Sequence, residues 1–324
     1  MKPPAAALLV LGLGLAFALA GCGLGAGRAP TAVGVLVTRD FGARVVRAAP
    51  HPKVSGQETV MSLLLRNFPV STRFGGGFVQ SIAGLSGGHE RGQPVDWFYY
   101  VNGVQAAKGA AATDVHPGDH IWWDRHDWSQ TEEIPAVVGS YPEPFLNGIE
   151  GKRLPVRVEC STEAGAACQV VTRRLQADGV PAAVAAVGSG GGSAILRVLV
   201  GPWRQLRPDS GAEPIERGPR ASGVYARFSR QGSELTLIGE DGRETPVPGV
   251  TSGLVAATRT SEQAPTWVVT GTDPAGVQLA ARAFDAASLD DHFAIAVLGS
   301  ASALLPLPAQ AASLEAVPGV TSGR

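Results

Sequence analysis

Apolar and polar positions alternate along this chain with two different periods, and the switches between them mark its elements. Val33-Gly34-Val35-Leu36-Val37-Thr38 is β-branched and apolar, which predicts a strand. Phe41-Gly42 turns the chain into Ala43-Arg44-Val45-Val46-Arg47, completing a hairpin. Ser55-Gly56-Gln57-Glu58 has the spacing of a capping box, with Ser55 as N-cap and Glu58 three residues on. Val60, Leu63 and Leu64 then share one helical face, and the helix is expected to stop near Asn67, ahead of Pro69. Three strands follow. Phe78 to Leu85 alternates. Trp97 to Val101 is aromatic and ends in Asn102-Gly103, a hairpin-turn pair. His120 to Asp124 is entered through the turn His116-Pro117-Gly118-Asp119.

In the second half strand and helix periods interleave. Val156 to Cys160 predicts a strand. Cys168 to Ala177 carries Val170, Val171 and Leu175 at helical spacing, and Ala183 to Val187 and Ala194 to Val200 predict strands on either side of a glycine-rich turn. Gly223 to Phe228 and Glu234 to Ile238 form a hairpin, and Asp241-Gly242 turns the chain again. Leu254 to Thr258 and Trp267 to Gly271 are further strands. Asp273-Pro274 opens a helix whose apolar face is Val277, Ala280, Ala281 and Phe284, and Phe293 to Val297 is a strand buried on both faces. The predicted fold class is α+β: an N-terminal β-grasp domain over residues 32–147, with one helix across its sheet, then a mixed α/β domain over residues 154–299. Residues 300–324, rich in Ala, Pro and Leu, are expected to form a disordered tail.

The N-terminus changes the picture. Lys2 is the only charge before an apolar run from Ala5 to Ala20, short of a comfortable membrane span. The run ends in Leu19-Ala20-Gly21-Cys22, which resembles the bacterial lipobox. That resemblance implies a signal peptide over residues 1–21, lipidation of Cys22, a tether over residues 22–31 and an extracytoplasmic protein anchored to the cell membrane. Of 3 cysteines, Cys160 and Cys168 then remain as a pair. An oxidising compartment favours a disulfide between them, two buried thiols being the alternative. With 27 basic and 28 acidic residues the net charge is -1, which gives no long-range pull on nucleic acid.

Gly56 and Thr59-Val60, Gly77-Phe78-Val79 with Ile82-Ala83-Gly84-Leu85, Trp97-Phe98-Tyr99-Tyr100-Val101-Asn102-Gly103, and Val115-His116-Pro117-Gly118-Asp119-His120-Ile121-Trp122-Trp123 together resemble the transcobalamin C-terminal-like domain. The resemblance spans about a third of the chain. It implies an exported protein and one wall of a corrinoid-like site, whose other wall in that family is a helical domain that this sequence does not show.

Three candidate sites follow. Trp97, Tyr99, Trp122 and Trp123 are expected to present an aromatic surface to a small planar or apolar ligand, with Asp124 and His120 orienting it. The alternative is that the second domain, or the loop from Ser86 to Pro94, covers those rings. His116, Asp119, His120, Asp124, His126 and Asp127 form a polar set, but residues four apart on a strand lie about 13 Å apart, so no metal is assigned. Thr270-Gly271-Thr272-Asp273 stands between a strand and a helix and is accounted for by an N-cap. Ser189 to Ser193 lacks the Lys-Ser/Thr of a phosphate-binding loop. No nucleophile elbow, zinc-protease helix or dinucleotide fingerprint is present, so neither catalysis nor a cofactor is expected. The sequence therefore points to a lipid-anchored extracytoplasmic binding protein for a small, corrinoid-like ligand or an envelope transporter. The alternatives are an envelope scaffold without a ligand and a metal-dependent hydrolase.

Overall fold

The computed structural model describes residues 31–310 apart from 191, 262, 300 and 301. The expected signal peptide, the lipidation site Cys22 and most of the tether lie outside the described residues. Strands dominate a mixed α/β architecture. The first half contains β1 (Gly34–Arg39), β2 (Arg44–Ala49), α1 (Val60–Asn67), β3 (Val70–Arg73), β4 (Phe78–Ile82), β5 (Leu85–Ser86), β6 (Gly88–Glu90), β7 (Gln93–Val101), β8 (Val104–Gln105) and β9 (His120–Asp127). Its main sheet runs β2-β1-β9-β7-β6, with β8 on β7. β1 and β9 are parallel, and the other pairs are antiparallel. β3, β4 and β5 form a separate small sheet.

The second half contains β10 (Val156–Cys160), α2 (Gly165–Ala177), β11 (Ala182–Ala186), β12 (Leu196–Pro202), α3 (Trp203–Leu206), α4 (Pro219–Ser222), β13 (Ala226–Phe228), β14 (Leu235–Ile238), β15 (Glu244–Val247), β16 (Ser252–Thr258), β17 (Thr266–Gly271), α5 (Pro274–Arg282), α6 (Ala286–Leu289), β18 (Ala294–Leu298) and β19 (Ala303–Leu307). Seven strands make one sheet in the order β11-β10-β12-β17-β16-β18-β19, parallel from β11 to β17 and antiparallel beyond. Cys160 and Cys168 lie at disulfide-bonding distance, Cα atoms 5.9 Å apart, tying the end of β10 to the first turn of α2.

Three apolar clusters stack the layers. α1 packs on one face of the first sheet through Val60, Leu63, Leu64, Ile121, Trp123 and Trp97. The opposite face meets the seven-stranded sheet in a shared core that joins Leu36, Tyr100 and Trp122 to Leu199, Val268, Phe293 and Ala296. α2 and α5 cover the far side of the larger sheet. The two halves therefore fold around one common interior.

Local details differ from expectation at two places. α1 begins at Val60, with Thr59 as its N-cap: Ser62 N donates to Thr59 Oγ1 at 3.2 Å and Thr59 N donates to Ser62 Oγ at 2.9 Å. Gly56 has φ 58, outside the helical region, so Ser55 cannot start the helix. Glu58 instead accepts from Ser55 N at 2.9 Å and pairs with Arg66 at 3.3 Å. The tail expected from residue 300 is also corrected over its described part: Ala303–Leu307 pairs antiparallel with β18. Pro306 is tolerated because β19 is an edge strand, where a missing N–H costs no ladder bond. Residues 311–324 lie outside the described residues.

Candidate functional site

The aromatic residues assigned to a ligand surface do not form one. Successive strand residues face opposite sides. Tyr99 is paired with Trp123 across β7 and β9, and Tyr100 with Trp122. Trp97, Tyr99 and Trp123 thus point to α1, where Tyr99 stacks on Trp123 with centroids 4.8 Å apart. Trp122 points the other way and is fully buried, its ring edge-on to Phe293 at 5.1 Å. Trp97 and Trp123 are buried as well, and Trp97 Nε1 donates to the Leu85 carbonyl at 3.1 Å. The assignment of these rings to ligand contact is corrected. Both sheet faces carry enough apolar area to demand cover, and each has its own.

Asp124 is spent in the same interior. It accepts from Thr38 Oγ1 at 2.5 Å, Phe41 N at 3.1 Å and Gly42 N at 2.9 Å, and Nδ1 of His126 stands 2.8 Å away. Trp122 Nε1 donates to Thr38 Oγ1 at 2.7 Å, closing the network. Asp40, Phe41 and Gly42 have φ of 60, 57 and 84, so the β1–β2 turn is wound to aim two N–H groups at one carboxylate. Phe41 and Phe98 sandwich the His126 ring at 4.6 and 4.5 Å. Asp124 is therefore an internal hub and does not orient a ligand.

The Asn102-Gly103 turn and Gly118-Asp119 form a second internal network. Asn102 donates to Asp119 Oδ1 and to the Gly148 carbonyl, both at 2.8 Å, and accepts from His120 N at 2.8 Å. His116 N donates to Asp119 Oδ2 at 2.7 Å. Among the described residues no group of three or more His, Cys, Asp or Glu is placed to hold a metal ion. Asp273 caps α5, accepting from Gly276 N at 2.8 Å. The glycine-rich turn after β11 lines a polar hollow of about 390 Å3 in which Arg197 is taken up by Glu159 and Asp209.

His120, one of the sequence candidates, reaches open space. It lines a cleft of about 490 Å3 whose walls are Gly34 to Leu36 of β1, the segment Gly139 to Glu143, and Asp290-Asp291 of the second half. The segment is pinned there because Val138 N donates to the Phe293 carbonyl at 3.1 Å and Asp291 N to the Gly139 carbonyl at 3.2 Å. A Cβ at Gly139 would fall 2.8 Å from the Trp122 ring, so glycine admits this close approach. Nδ1 of His120 is hydrogen-bonded to Ser140 Oγ at 2.9 Å. Burial pulls the His120 pKa down to about 4, so the ring is neutral at pH 7.

Asp119, Glu143, Asp290 and Asp291 line the cleft, and among the described residues no Lys or Arg lines it. Burial raises Asp119 and Glu143 from their ordinary values, yet both are internally bonded. Asp290, at the rim, is pushed up to about 6 by burial and then by the carboxylates of Asp291 and Asp285. Burial raises Asp291 too. A comparable cleft of about 460 Å3 near Phe41 has Arg39, Arg44, Arg91 and Arg243 set against Asp40, Glu90, Glu240 and Asp241, so its charges offset one another. The sequence flagged His120, but the approach of Ser140, Asp290 and Asp291 had no local signal.

His120 makes stability depend on pH. The unfolded ring takes a proton near pH 6.5, and the folded ring resists it until about 4. Stability contributed by the neutral ring is therefore complete above pH 6.5 and is lost as pH falls toward 4, by at most about 3 kcal/mol. His120→Gln is expected to flatten that part of the stability profile in urea titrations between pH 7 and 4. An unchanged slope would count against a buried neutral ring.

The family described as Domain of unknown function (DUF4430) matches residues 57–127, from just before α1 to the end of β9. The match leaves out β1, β2 and the whole second half. No curated protein matches the chain.

Proposed function

We propose that this chain is a lipid-anchored extracytoplasmic binding protein whose ligand occupies the His120 cleft, and that the ligand is a small organic cation. The observation that carries the ligand class is the set of four carboxylates with no Lys or Arg among the described lining residues, two of which, Asp290 and Asp291, are raised by burial with no described basic group offsetting them. Carboxylates in that state are stabilised by an incoming positive charge. Neutral His120 and the Ser140 hydroxyl add hydrogen-bonding capacity on the wall without adding positive charge. The anchor rests on the lipobox resemblance, and the β-grasp description of the first half rests on its one helix crossing a mixed sheet. A ligand held between this half and the next is also the arrangement that the transcobalamin-like resemblance implies, although ring stacking on Trp97, Trp122 or Trp123 has no uncovered surface here.

Cation binding has a defined pH sign. Asp290 is half protonated near 6, so a cation must displace that proton at lower pH. Calorimetric titration of the mature chain with 1,4-diaminobutane is expected to show binding at pH 7.5 that weakens about tenfold by pH 5. Asp290→Asn with Asp291→Asn is expected to weaken it at least tenfold at pH 7.5 and to remove the pH dependence, with the unfolding midpoint retained. No binding heat with the diamine at pH 7.5, or equal affinity in the double variant, defeats the proposal.

A further inference from the structure

The β3–β4 hairpin carries two aromatic rings to its tip. Phe74 is 86% exposed and Phe78 39%, and the rings meet edge to face with centroids 6.2 Å apart. Phe74 has φ 53, and Gly75 and Gly76 follow with φ of 68 and 94. A bulky residue rarely adopts the left-handed region, and here it turns a large ring outward. A Cβ on Gly75 or Gly76 would meet nothing within 4 Å, so the tip projects clear of the body. Leu65 of α1, 48% exposed, belongs to the same stretch of chain.

The charge on that stretch is one-sided. From Thr59 to Ile82 the sequence holds Arg66 and Arg73 and no acidic residue. Arg66 is paired with Glu58 at 3.3 Å, whereas Arg73 is exposed at the base of the tip, next to Phe74. Projecting aromatics beside an arginine, in a stretch of sequence without an acidic residue, match the interfacial zone of a bilayer, where rings enter the headgroup boundary and guanidinium meets phosphate.

We infer that the Phe74–Phe78 tip is a second membrane contact, seating the body on an anionic bilayer surface. The inference rests on the lipid-anchor reading in one respect: the anchor is what holds the body at a bilayer. Ten residues from Cys22 to Thr31 reach at most about 35 Å when extended. That length lets the body roll on the surface but not leave it. Surface chemistry then selects the face that lies down, and this hairpin supplies both apolar area and positive charge.

A chain shortened to begin at residue 23 keeps every described residue and lacks the acylated cysteine, so it reads the tip without the anchor. It is co-sedimented with vesicles of phosphatidylcholine alone and with vesicles containing a third phosphatidylglycerol. The unsubstituted chain is expected to partition onto the anionic vesicles more strongly than onto the neutral ones. Phe74→Ser with Phe78→Ser is expected to cut that partition at least tenfold. Arg73→Gln is expected to cut it about fivefold on the anionic vesicles only. Both positions are exposed, so near-ultraviolet circular dichroism should be unchanged. A chain that stays in the supernatant with both vesicles, or a double serine variant that partitions like the parent, overturns the inference. So does concentration-dependent dimerisation that the serine pair abolishes without vesicle binding, which would assign the tip to a second copy. Palmitate labelling of Cys22 in the full chain reads the anchor separately, so either idea can fail alone.

Discussion

Asp124→Ala is expected to destabilise the fold by about 4 kcal/mol, seen as a large drop in the urea midpoint with little change in slope. The substitution strips the acceptor from Thr38 Oγ1, from the N–H groups of Phe41 and Gly42, and from the neighbour of His126, all in the sealed interior between the two sheets. The two N–H groups then lack a partner where water cannot reach, and as a donor Thr38 Oγ1 keeps only its 3.4 Å contact with the Trp123 carbonyl; losses of hydrogen bonds to a charged group cost about 1.5–3 kcal/mol each before relaxation. The loss does not stay local. The wound turn at Asp40 to Gly42 also holds Phe41 against Tyr225 and Phe293, at 5.2 and 5.4 Å. Asp124→Asn keeps the shape and one acceptor but turns an amide N–H2 toward other donors, so about half the effect is expected. A midpoint change worth less than about 1 kcal/mol for the alanine variant would mean that the carboxylate does not hold the turn.

Gly271→Ala is the second large effect, about 3 kcal/mol, and its cause is crowding. Gly271 ends β17, Gly253 lies opposite it on β16, and Gly276 is in the first turn of α5. A Cβ on Gly271 would stand 2.5 Å from Val277 N and 2.7 Å from the Ser252 carbonyl oxygen, and one on Gly253 would stand 2.5 Å from the Gly276 carbonyl oxygen. These are backbone atoms that cannot rotate aside. Glycine here lets the helix lie directly on the strands; no left-handed backbone is involved. Gly249→Ala supplies a contrast, because its Cβ meets nothing within 4 Å and the cost there is that of its φ of 68 alone. Equal midpoints for Gly271→Ala and the parent would rule out this close packing.

Features that depend on neighbours along the chain could be read from the sequence. The Asn102-Gly103 turn, the Asp273-Pro274 helix start, the Phe41-Gly42 reversal and the Cys160–Cys168 pairing are short-range, and each stands where its residue chemistry puts it. Ser55 failed as a cap because Gly56 offered a left-handed position that the pattern did not specify. The strand Ala303–Leu307 was hidden because its Pro306 and small side chains look like tail composition, while an edge position makes them acceptable. Which rings would be roofed was not legible. Aromatic composition groups Trp122 with Trp123, but strand geometry sends them to opposite faces, and the roof over Trp122 comes from Phe293, far along the chain. The cleft has the same origin: Asp290 and Asp291 meet His120 only after both sheets close.

The shared interior has a consequence for delivery. If the chain leaves the cytoplasm N-terminus first, the strip from residue 57 to residue 127 emerges with Phe98, Tyr100 and Trp122 bare, and their roof is still inside. In that case the early half would stay incomplete until Phe293 had followed it. A chain cut short before Phe293 would keep Phe98, Tyr100 and Trp122 without their roof and could not close its interior.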